Sequence, residues 1–191
     1  MTTVAIIVAV VLVVALGLFL AFARPSGGRG LRRRFGPEYD RAVARHDGDT
    51  KAAEHELNEL LKRHRSLDER PLSAEARAEY TDRWTRIQGR FVDAPQQAVA
   101  EADALLAELA HDLGFPDGDD FGEQSAALSV HHAEQVNGYR RVHAAKRGEG
   151  GTEEMREALI EARGLFDVLV SNGVDAPARR QPHPVEGSGK A

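Results

Sequence analysis

The strongest constraint on this chain is the stretch covering residues 4–23: twenty residues without a charged side chain, with Gly17 as the weakest helix former. A helix of that length reaches about 30 Å, the thickness of a bilayer's hydrocarbon core. In lipid every backbone polar group must be paired within the segment, so a helix is the form it takes. The apolar core of a secretory signal runs to about 7–15 residues behind a basic leader. Here the run is longer, and Met1-Thr2-Thr3 carries no Lys or Arg. Ala21-Phe22-Ala23 does fit a small-x-small cleavage pattern, so a secreted protein is the alternative. Basic residues flank one end of the run: Arg24, Arg29, Arg32, Arg33 and Arg34 follow it and none precedes it. That asymmetry puts the N-terminus outside and the body in the cytoplasm. Gly17 and Ala21 form a small-xxx-small pair that favours association of the span with a second copy.

Charge is unevenly spread behind the span. The net charge is −5, from 25 Lys and Arg against 30 Asp and Glu. Five of the arginines fall in residues 24–34, leaving 20 basic against 30 acidic residues elsewhere. A basic collar, suited to anionic lipid, joins the membrane to an acidic body. The acidic body argues against nucleic acid as a partner, because such affinity comes mainly from phosphate neutralisation. No cysteine is present, which removes disulfides, thiolate metal sites and a thiol nucleophile.

Four regions are expected: a transmembrane anchor (1–23), a flexible glycine-containing basic linker (24–34), a helical body (35–173) and a disordered tail (174–191). The body's apolar residues recur at 4-3 spacing. Pro37 opens a helix ending near His46. Asp49 or Thr50 caps the next, with Ala53, Leu57, Leu60, His64 and Leu67 on its stripe. Ser73 caps a third, carrying Ala76, Tyr80, Trp84, Ile87 and Phe91. Asp93-Ala94-Pro95, with the proline in the first turn, caps a fourth, carrying Val99, Ala102, Leu105, Leu106, Leu109 and Leu113, and Gly114 stops it. A short helix is expected over 121–128, then a longer one over 131–147 with His132, Val136, Tyr139 and His143 on one face. Thr152 caps a last helix with Met155, Leu159, Ala162, Phe166 and Leu169. No alternating strand pattern appears. The chain therefore reads as all-α, a transmembrane helix followed by an antiparallel bundle of about five to seven helices with coiled-coil-like packing.

The candidate chemistry is thin. Glu108-Leu109-Ala110-His111 is half of a di-iron pattern, and no second copy exists. His55-Glu56-Leu57-Asn58-Glu59 starts like a zinc-protease motif, but Glu59 stands where the second histidine is needed. The loop at Asp117 and Asp119 lacks the later ligands of a calcium loop, with Phe121 and Leu128 in their places. Asp120-Phe121-Gly122 matches a kinase tripeptide alone. Catalytic, cofactor-binding and metal-ligating residues are accordingly expected to be absent, and the chain is not expected to be an enzyme. His132, Tyr139, His143 and Trp84 remain as candidates for a ligand pocket or a pH sensor.

The segments Arg34-Phe35-Gly36-Pro37-Glu38-Tyr39-Asp40, Arg70-Pro71-Leu72-Ser73, Tyr80-Thr81-Asp82-Arg83-Trp84, Arg90-Phe91-Val92-Asp93-Ala94-Pro95 and Leu128-Ser129-Val130-His131-His132 resemble a family of small actinobacterial single-span proteins of unknown function. The resemblance covers residues 4–170. It implies a membrane or secreted location and transfers no active site. Two function classes follow. The first is a membrane-anchored helical interaction or scaffold module with a protein partner. The second is a small-ligand-binding or pH-responsive sensor bundle. A flat apolar patch would mark the first, a pocket with convergent polar groups the second.

Overall fold

A computed structural model describes residues 27–148 and 150–171. Among them are eight helices and no strand, so the fold is all-α. The apolar run at 4–23, Arg24 and the tail beyond Ser171 lie outside the described residues. Among the described residues no helix is long and apolar enough to cross a membrane.

The chain divides into two compact units. The described part of the first comprises residues 27–66 and Ala126–Glu134; that of the second comprises Leu67–Ser125 and residues 135–148 and 150–171.

The first unit holds α1 (Gly27–Phe35), α2 (Pro37–Arg45) and α3 (Thr50–His64). Here α1 replaces the flexible linker expected from its glycines. A helical glycine costs about 1 kcal/mol relative to alanine. Leu31 and Phe35, one turn apart, are both buried in the unit's core, each contributing roughly 1.5–3 kcal/mol. Their burial outweighs the glycine cost. Gly36, at φ +48°, breaks α1 from α2, and Pro37 opens α2. Asp49 caps α3 by accepting from the N–H groups of Lys51 and Ala52. The core joins Tyr39, Ala42, Ala53 and Leu57 to Val130 and Ala133.

The second unit holds α4 (Ala74–Arg90), α5 (Pro95–Asp112), the first turn of α6 (Phe121–His131), α7 (Val136–Lys146) and α8 (Thr152–Ser171). Most of the expected seams are buried here: Tyr80, Trp84 and Ile87 on α4, with Ala76 and Phe91 half-buried at its ends, Val99 to Leu109 on α5 with Leu113 just past its end, and Met155 to Leu169 on α8. Ser73 caps α4 through the Ala76 N–H. Within the capping segment Ala94 occupies the N-cap of α5 and contributes no side-chain bond; Pro95 supplies the start. Cross-helix pairs show α4 and α5 running antiparallel, Tyr80 meeting Asp112 and Arg83 meeting Glu108. Between α7 and α8 the contact is closest at Gly138, where a Cβ would lie 2.4 Å from the Glu161 carbonyl group.

The helix expected over 131–147 is also corrected. The α6 helix runs to His131, the chain turns through 132–135, and α7 starts at Val136. Val130 and Ala133 belong to the first unit's core, while Tyr139 and Val142 are buried in the second unit.

Candidate functional site

The second unit contains a cleft of about 410 Å³ between the C-terminal half of α5, the loop after it and α7. Helical periodicity selects its walls. On α5, Asp103, Ala107 and His111 follow at four-residue steps, with Ala104 and Glu108 beside them. On α7, Tyr139, His143 and Lys146 are spaced four and three apart, one face of one helix. The loop adds Asp117, Gly118 and Asp119. Gly118 permits the close fit: a Cβ there would come within 2.6 Å of the Ala107 methyl. Asp117 Oδ1 accepts from the Asp119 N–H, and Asp120 Oδ1 from the Glu123 N–H, fixing the turn into α6.

Asp103 anchors the floor. Its side chain is only 4% exposed, since it shares the buried register of Val99 and Leu106. One oxygen accepts from His143 Nδ1 at 2.9 Å, the other from Lys146 Nζ at 2.7 Å. A carboxylate only accepts, so Nδ1 carries the proton and Nε2 keeps the lone pair in the neutral ring. Phe121 stacks on the His143 ring at 3.6 Å and 7° and tilts against Tyr139 at 5.0 Å. The Tyr139 hydroxyl donates to Gln124 Oε1 at 2.7 Å. Burial, aided by the Asp103 charge, pushes the Tyr139 phenol well above its ordinary value, so it stays a donor. Gln124 is fully buried and donates to the carbonyls of Pro116 and Ala107. It ties the loop, α5 and α7 together.

At the rim, Arg83 grips Glu108 with two parallel bonds, 2.8 and 2.5 Å. That grip, offset in part by desolvation, holds the Glu108 carboxyl below its ordinary value. The lining thus carries four carboxylates against one lysine ammonium, and no serine or threonine that could act as a nucleophile. Among the described residues no group of three His, Asp or Glu side chains is placed to hold a metal ion. The arrangement suits recognition: a fixed imidazole, a phenol and an acidic rim that attracts a positively charged group.

Of the four sequence candidates, the structure brings together Tyr139 and His143. Trp84 is fully buried, stacked on Phe166 at 4.6 Å, and is not part of the cleft lining. His132 is buried in the first unit. Of the collar, Arg29, Arg32, Arg33 and Arg34 are exposed on α1. Arg32 reaches Asp40 at 3.2 Å and lies over the Tyr39 ring. Asp103, Gln124, Phe121 and Lys146 escaped the sequence reading. One signal was available: Asp103 is an acid in the apolar register of α5, and such a residue demands a partner.

No protein-family model, no curated protein and no solved structure matches the chain.

Proposed function

We propose that this chain is a membrane-tethered helical sensor module whose second unit binds a small ligand carrying a positive charge. The observation that carries this is the cleft, with His143 fixed on buried Asp103 beneath an acidic rim. A concave site with a few oriented polar groups is the usual form of a ligand pocket. The competing class, a scaffold that docks a protein on an apolar face, has less support. Among the described residues the exposed large hydrophobic side chains are Val92 and Ile160, too little for a patch of several hundred Å².

The tether rests on the twenty uncharged residues at 4–23 and the arginines behind them. A bundle of antiparallel helices behind a single span, with its body in the cytoplasm, is the architecture this reading carries. The family resemblance read from the motifs belongs to the same proposal. Exposed arginines on α1 suit contact with anionic lipid headgroups, each contributing about 1 kcal/mol near the surface.

The test is thermal unfolding of the full chain in detergent with arginine amide as probe. A ligand of the folded state raises the melting temperature with its concentration. The expected result is a saturable rise that is lost in the double variant Asp117→Asn, Asp119→Asn, whose carboxylates form no ion pair among the described residues. No rise in the wild type, or the same rise in the variant, contradicts the proposal.

A further inference from the structure

A second groove, about 220 Å³, lies on the other flank of α5, between it and α4. Its charge is opposite to that of the cleft: Arg83, Arg86 and Arg90 face Glu101. Arg83 is committed to Glu108 and Arg90 to Glu101. Arg86 is exposed and makes no ion pair among the described residues, so the groove has one uncompensated cation. In the cleft the charges without an ion pair among the described residues are Asp117 and Asp119. Ala104 lines both hollows. It is exposed, and its single methyl leaves a low saddle between them.

The geometry points to one continuous, bipolar trough that takes an extended peptide segment with a basic side chain at one end and an acidic side chain at the other. This rests on the reading of the cleft as a cation-binding site and specifies its ligand. The basic end enters the acidic cleft beside His143; the acidic end meets Arg86. The pairs Arg83–Glu108 and Arg90–Glu101 set Arg86 beside the middle of α5, and His143 bonds Asp103 at a similar height on the other flank. The two ends of the ligand are thus about a helix width apart, roughly 10–12 Å. Five residues at up to about 3.3 Å each can cross it. The Arg83–Glu108 pair fits the same account. One member lines each hollow, and its two bonds hold the intervening rim in a fixed shape without leaving a net charge to repel either end.

The experiment compares two probes on the full chain by calorimetry: arginine amide, and a blocked pentapeptide with arginine and glutamate separated by three glycines, made in both chain directions. The pentapeptide in one direction is expected to bind about fivefold tighter than arginine amide, the gain of one exposed ion pair. Arg86→Glu should remove that gain and leave arginine amide binding unchanged; among the described residues Arg86 makes no ion pair whose loss would disturb the fold. Equal affinity of all probes, insensitive to Arg86→Glu, overturns the trough while leaving the cation site intact. Failure of every probe to bind overturns the cation site and the trough together.

Discussion

Trp84 tests the packing at the scale of one side chain. It is fully buried and stacked on Phe166, yet its Nε1 has no hydrogen-bond partner among the described residues. Trp84→Ala should therefore cost about 3–5 kcal/mol by cavity formation. Trp84→Phe should cost much less than Trp84→Ala, because it leaves a smaller cavity and, as in Trp84→Ala, no hydrogen bond is lost. Denaturant melts of the three proteins check the order; a costly Phe variant would mean that the indole N–H is satisfied after all. Glu56 offers a test by pH. Burial pushes its carboxyl up, but hydrogen bonds and charge from Arg45 and His46 outweigh this and hold it below its ordinary 4.5. A carboxyl with a depressed folded pKa stabilises the fold above its unfolded pKa and ceases to do so as pH falls through the folded value. Glu56→Gln should thus be less stable than wild type at neutral pH, and the gap should close below about pH 4.5. A gap that stays constant across that range would remove Glu56 from the account of acid stability.

At the scale of elements, the seams were legible because 4-3 spacing states which face of a helix is buried. Tyr80, Trp84 and Ile87 on α4 and the leucines of α5 needed nothing more. Two elements were not legible, for different reasons. Local propensity argues against α1, whose glycines are outweighed by Leu31 and Phe35 only once a core is there to receive them. The end of α6 was missed because His132, Val136, Tyr139 and His143 keep helical spacing across a turn. Spacing alone does not report that the chain changes unit there. The close α7–α8 contact leads to a further expectation. Gly138→Ala would drive a methyl into the Glu161 backbone, which cannot swing aside as a side chain can. A loss of about 1–3 kcal/mol is expected from such overpacking. Gly164→Ala on α8, where a Cβ meets nothing within 4 Å, should by contrast be neutral or stabilising by the helix propensity of alanine. Equal effects at both positions would contradict the packing of α7 on α8.

At the scale of the molecule, the candidate site was half readable. Tyr139 and His143 stand one turn apart on an apolar stripe, so the sequence placed them together. Asp103 is 40 residues from His143 and 43 from Lys146, and only the folded second unit joins them. A search for short motifs passes over such a set, since no local spacing encodes it. The central claim is that this joined set is where the molecule receives its ligand. The most direct measurement is the imidazole nitrogen spectrum of the full chain, with its eight histidines, during titration with arginine amide. The account predicts that the Nε2 signal of His143 moves and saturates, with His111 at the same cleft the one other histidine to respond. The signals of His46, His64 and His132, in the first unit, should hold still. Movement confined to those histidines, or no movement at His143 while the probe binds, would contradict it.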